Sequence, residues 1–144
     1  MILRYFNEQS IPNWLNVRKY KLMAQILVVD DSATVRNDVV RFLEQHELTV
    51  DTAIDGQDAF NKLAEPNDYR VAFVDINMPI LNGLSLIEKV QSELTLPALN
   101  VIMLTTEFES NLKERGKAAG VKGWIVKPFN GTKIIGAIKK MIAK

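Results

Sequence analysis

Cysteine is absent from this 144-residue chain, which removes disulfides and thiolate metal ligation and suits a reducing compartment. No stretch approaches the ~20 consecutive apolar residues that a membrane-spanning helix needs. The opening residues, MILRYFNEQSIPNW, are interrupted by Arg4, Asn7, Glu8, Gln9 and Pro12, so the continuous apolar core of a secretory signal is missing. A cytoplasmic protein with no membrane association is the expectation. Charge of one sign is also lacking: 18 basic residues stand against 17 acidic ones, for a formal net charge of +1. Bulk attraction to nucleic acid is therefore not favoured, and no basic run rises above the background. Histidine occurs once, at His46 near the end of the first helical stretch, where a solvated helix-terminal residue is expected and not a phosphodonor or ligand.

What the chain has in quantity is apolar sequence, 47% hydrophobic against 24% charged, the balance of one soluble domain with a substantial core. From Gln25 onward, short apolar runs alternate with longer amphipathic stretches. The runs are Ile26–Val29, Leu48–Ala53, Tyr69–Val74, Leu99–Leu104 and Gly123–Val126. Several lack period-two alternation, which marks strands covered on both faces, as in a parallel sheet. The amphipathic stretches Ala33–Gln45, Gly56–Ala64, Gly83–Glu93, Ser110–Ala119 and Gly131–Ala143 predict helices, with Asn130 and Gly120 as suitable boundary residues. Five strands alternating with five helices is the pattern of a doubly wound α/β sheet with helices on both faces, because parallel strands need right-handed crossovers.

In such sheets a site forms at the carboxyl ends of the strands. The first run ends in Asp30 and Asp31, the third in Asp75, the fourth in Thr105 and Thr106, and the fifth in Lys127 followed by Pro128. Taken singly, each is most often a turn residue, a helix cap or a solvated charge. Taken together, three carboxylates, a hydroxyl and an ammonium drawn from four strands occupy one rim. Adjacent carboxylates repel and resist leaving water, so a positive partner is expected among them. Magnesium prefers oxygen ligands, keeps several waters and takes one or two protein carboxylates plus phosphate oxygens. With Lys127 as a second cation, such a rim could stabilise the charge of an arriving phosphoryl group, and a carboxylate can itself be the nucleophile.

The segments VVDDS, VDINMPILNG, LTT and WIVKPF resemble the receiver domains of bacterial response regulators, most closely the single-domain chemotaxis type called CheY. The resemblance covers residues 23–144, and all five functional positions appear in order. It implies a flavodoxin-like fold of strand order 2-1-3-4-5, an order that periodicity alone does not supply. It further implies that Asp75 accepts a phosphoryl group from a sensor histidine kinase. Asp30, Asp31, Asp75 and the backbone carbonyl of Asn77 would hold Mg2+, and Thr105 and Lys127 would contact the phosphoryl oxygens. Trp124 falls where the family keeps an aromatic switch, coupled to movement of Thr105, and the bond before Pro128 is expected to be cis. Output would pass to a protein target through the face of the fourth helix, fifth strand and fifth helix, with the chain a monomer or a weak phosphorylation-dependent dimer.

Phosphatases of the haloacid dehalogenase group place an acid–base Asp two residues after their nucleophile. Here that position is Asn77, and an amide cannot exchange the proton, so a switch with only self-phosphorylation and self-dephosphorylation is expected in place of an enzyme. Asn77 and Glu107 occupy positions that tune the phosphoryl lifetime in the family, and their identities suggest a short-lived signal. Two further readings stay open: a phosphorelay intermediate that hands its phosphoryl group to a histidine phosphotransfer protein, and, less favoured, an aspartyl-phosphate phosphatase. Residues 1–22, basic and aromatic, have no counterpart in the family core. They read as an extension, either a leader or the product of a misassigned start before Met23.

Overall fold

A strand that is apolar on both faces can be buried only between two layers, and the strands here are arranged that way. The computed structural model describes residues 23–106 and 110–143. The elements, in chain order, are β1 (Ile26–Val29), α1 (Ala33–Gln45), β2 (Val50–Ala53), α2 (Gly56–Ala64), β3 (Val71–Asp75), α3 (Gly83–Glu93), β4 (Asn100–Thr105), α4 (Ser110–Ala118), β5 (Val121–Val126), a 3-10 turn (Gly131–Lys133) and α5 (Ile135–Ala143). All neighbouring strands pair in parallel, in the order β2-β1-β3-β4-β5.

Alternate residues of each strand feed two separate cores. Ile26, Val28, Val71, Phe73, Ile102 and Leu104 pack with Val39 and Leu43 of α1 and Ile138 of α5. On the opposite face Leu27, Val29, Ala72, Val74, Val101 and Met103 pack with residues of α2 and α3 and with Ala119, just beyond α4. The central strands β1 and β3 are buried along their whole length, which accounts for their unbroken apolar sequence.

Several helix starts follow from side-chain caps that satisfy otherwise orphaned N–H groups. Ser32, Asp55 and Asn82 accept from the backbone N–H groups of Val35, Asp58 and Ser85 respectively. At the chain's far end the expected single helix over Gly131–Ala143 is divided. Asn130 caps a short 3-10 turn, and α5 proper begins only at Ile135. Other boundaries also shift. Leu48 is not in β2, because its N–H turns back to Leu43 O. β5 begins two residues earlier than its apolar run suggests, with an irregularity in its pairing to β4 near Val101 and Ile102. His46 does end α1, but it is half-buried, with its ring 4.6 Å from that of Phe42 and Nδ1 3.0 Å from Phe42 O. No helix among the described residues is long and apolar enough to cross a membrane.

Candidate functional site

Parallel register brings the strand ends together. Val29 lies beside both Ala53 and Val74, Asp75 beside Leu104, and Thr105 beside Val126. The residues that follow, Asp30 and Lys127, are thereby carried to the same rim as Asp75 and Thr105. Backbone bonds extend the pattern past the strands: Ile76 N–H donates to Leu104 O (3.1 Å) and Lys127 N–H to Thr105 O (2.7 Å). The Lys127–Pro128 bond is cis, as the resemblance implies.

Asp75 sits against the start of α3. Gly83 N–H donates to Ile76 O at 2.9 Å, and a Cβ at residue 83 would lie 2.2 Å from the carbonyl oxygen of Asp75. Only glycine permits that approach. Asp30 is held from the other side: its Oδ1 accepts from Ser32 N–H (2.9 Å), and its backbone carbonyl accepts from Arg36 Nη1 (2.7 Å). This Arg36 tie was not foreseen in the sequence, where only its position one turn into α1 hinted at a role.

The ammonium of Lys127 stands between the two buried carboxylates, 2.9 Å from Asp30 Oδ2 and 3.1 Å from Asp75 Oδ1. Asp30 is 0% exposed, Asp75 4% and Thr105 2%. Burial, and next the charge of Asp30, push the Asp75 carboxyl up to about 6, although Lys127 and the backbone N–H of Asn77 work in the opposite direction. Lys127 is itself buried enough for desolvation to oppose its charge, yet Asp30 and Asp75 outweigh that and hold the ammonium above its ordinary range. The rim thus sets the Lys127 ammonium between two buried acidic side chains.

One positive charge leaves this cluster short of a counter-ion. Carboxylate oxygens of Asp30, Asp31 and Asp75 all lie within 4.8 Å of one another, with Asp31 exposed. Among the described residues, the fully buried Asp30 Oδ2 meets no polar partner other than the Lys127 ammonium. Three hard oxygen donors with one open side fit a divalent cation of the magnesium kind. Beside them a cleft of about 410 Å³ is lined by Asn77, Asn82, Thr105, Thr106 and Arg115 among others, bringing the β4–α4 connection to the same opening. Arg115 spans toward α3, with Nη2 2.7 Å from Glu88 Oε1.

Of the residues expected from sequence, Asp30, Asp31, Asp75 and Lys127 come together directly, while Asn77 and Thr105 border the cleft. Trp124 lies on β5, half-buried against the core shared with α3 and against α4. Glu107 and residues 1–22 lie outside the described residues. A feature with no advance sign is Ile80, 81% exposed at φ +71, whose γ-turn closes with Leu81 N–H donating to Pro79 O at 2.8 Å.

Comparison with known proteins places these features in context. Residues 26–139 match the family model described as the response regulator receiver domain. The chain is 34% identical over 115 residues to Protein PilG of Pseudomonas aeruginosa, covering 80% of this chain and 84% of that one. It is 38% identical over 107 residues to chemotaxis protein CheY1 of Helicobacter pylori, covering 73% and 86%. A similar solved structure is response regulator protein TrrA of Thermotoga maritima in complex with Mg(2+)-BeF, 28% identical with a TM-score of 0.69, covering 83% of this chain and 99% of that one.

Proposed function

The chain belongs to the response regulator receiver family, and on that premise we propose that it is a phosphorylation-driven signalling switch whose acceptor is Asp75. The observation that carries this reading is the Lys127 ammonium lying 2.9 Å from Asp30 and 3.1 Å from Asp75 on one buried rim. A carboxylate oxygen of Asp75 attacks the phosphorus of a phosphohistidine on a sensor kinase. A P–O bond forms and the P–N bond breaks with its electron pair staying on the ring nitrogen, so neutral imidazole leaves, its proton already on the other ring nitrogen. With its carboxyl pushed up to about 6, Asp75 is mostly ionised at neutral pH, as the attack requires.

Lys127 is placed to follow the negative charge from the carboxylate to the phosphoryl oxygens, and the Thr105 hydroxyl to donate a hydrogen bond to one of them. Asp30, Asp31 and Asp75, with the backbone carbonyl of Asn77, would hold Mg2+, which supplies the charge neutralisation that lets two anions meet. The Mg(2+)-BeF complex of the TrrA relative supports that assignment. The Asn77 amide cannot serve as a general acid or base, which favours persistence of the acyl phosphate over turnover.

Output passes through the face of α4, β5 and α5. From Ser110 to Ala143 the sequence holds one acidic residue, Glu114, while Lys113, Lys117, Lys122, Lys133, Lys139 and Lys140 are all exposed. An acidic protein target fits this face, and its binding should weaken with salt. Chemotaxis is the favoured setting, in keeping with the CheY1 relative. Phosphorylation must be worth about 5.5 kcal/mol to carry the active population from one to ninety-nine per cent.

Acetyl phosphate with magnesium tests the reading by intact mass. Addition of one phosphoryl group, lost with Asp75→Asn and with chelation of the metal, is expected. An unchanged mass in the presence of both reagents would overturn it.

A further inference from the structure

Glycine inside a helix costs roughly 0.5–1 kcal/mol relative to alanine, so a buried one calls for a packing reason. Gly116 lies within α4 and is buried. A Cβ built there would lie 2.5 Å from Cζ2 of Trp124, 3.2 Å from Cη2 and 3.5 Å from Cε2. The edge of the indole's six-membered ring therefore occupies the space that any side chain at 116 would take. Ordinary carbon contacts are about 3.5–4.0 Å, so even a methyl group would displace the ring by about 1 Å.

The rest of α4 is lightly held. Among its residues of described burial, only Leu112 and Gly116 are not exposed. Among the described residues its polar ties to α3 include the Arg115–Glu88 pair and a long bond from Gln91 Nε2 to Ala118 O at 3.4 Å, both at the surface. The indole on Gly116 is thus a principal apolar contact joining α4 to the sheet. Neither partner can shift without disturbing the other.

The geometry points to Gly116 as the positioning residue of the switch: it provides the seat that fixes Trp124 while Asp75 is unphosphorylated. This rests on the reading of Trp124 as the moving aromatic. Filling the seat raises the energy of the resting arrangement, and through it the fraction of molecules already disposed toward the active one.

The test uses the full chain carrying Trp14→Phe, so that Trp124 is the sole tryptophan. Before any phosphodonor is added, Gly116→Ala should turn the displaced ring inward toward Thr105, shifting Trp124 emission to the blue and reducing its quenching by acrylamide. Unchanged emission and quenching would overturn the proposal. This arm does not involve Asp75 chemistry, so it stands or falls apart from the phosphorylation reading.

A thermal double-mutant cycle removes ambiguity about folding. Gly116→Ala should lower the melting temperature with Trp124 present and raise it with Trp124→Phe, where the smaller ring leaves room for the methyl group. The same sign in both backgrounds, or failure to fold in both, would overturn the seat. Rescue of a misfolded single variant by Trp124→Phe would support it. The functional arm is the rate of phosphorylation by acetyl phosphate with magnesium, which Gly116→Ala should raise roughly fivefold. A rate unchanged while the emission shifts would refute the coupling of seat to site, and no phosphorylation of the parent would instead sink the function reading.

Discussion

The ammonium of Lys127 sits 3.1 Å from the carboxylate of Asp75, with the fully buried Asp30 on its other side at 2.9 Å. Two anions share one cation in a space that water barely reaches. The consequences of that imbalance can be measured with no kinase in the tube.

Asp75 has its carboxyl raised from 3.8 to about 6, chiefly by burial and then by Asp30. A carboxyl raised on folding binds its proton more tightly in the folded state, so stability falls as pH rises between those two values. Asp75→Asn should therefore stabilise the metal-free protein at about pH 8, by on the order of 1–3 kcal/mol. The gain should shrink through pH 6 and vanish near pH 4. Denaturant midpoints across this range in a chelator check it, and a gain independent of pH would contradict it.

Lys127→Met leaves Asp30 and Asp75 facing each other without their shared cation. Breaking a buried pair from one side should cost on the order of 2–4 kcal/mol at neutral pH without metal. Millimolar magnesium should return part of that loss by supplying a cation, and acidification should return part by protonating Asp75. Urea melts with and without the metal compare the two.

Ile80 places a β-branched side chain at φ +71 while burying almost none of it. Left-handed backbone costs such a residue roughly 1–2 kcal/mol. Ile80→Gly should thus stabilise by about 0.5–1 kcal/mol after the added freedom of the unfolded chain is counted. A fall in melting temperature would show that the exposed side chain makes a contact of greater value.

The hydroxyl of Tyr69 donates to Asp51 Oδ2 at 2.8 Å, tying the approach to β3 to the edge strand β2. Burial, and then that bond, hold the phenol well above its ordinary range. Tyr69→Phe should cost about 1 kcal/mol. The loss should stay constant from neutral pH to about pH 10, because the native phenol does not ionise there.

Much of the fold was legible because the two cores demand continuous apolar strands, and those of β1 and β3 end at Val29 and Asp75. Charged and hydroxyl residues placed directly after such runs marked Asp30, Thr105 and Lys127 as a group. What escaped the sequence was decided by contacts across the chain. The apolar spacing from Ile134 to Ile142 reads as one helix, but the Asn130 cap winds the first turn as 3-10. Leu48 looks like a strand residue until its N–H is seen bonded to Leu43 O. The seat at Gly116 was visible only as a glycine within a helical stretch, since Trp124 reaches it through the packing of α4 on β5.

The rim is furnished by the ends of β1, β3, β4 and β5, and every neighbouring strand runs parallel. No fragment of the polypeptide carries the cradle, and during synthesis its cation, at position 127, emerges last of the set. On the proposed reading, a half-made or locally unravelled molecule would be deaf to an upstream kinase. Competence to receive the message would then certify that these four strands have come together.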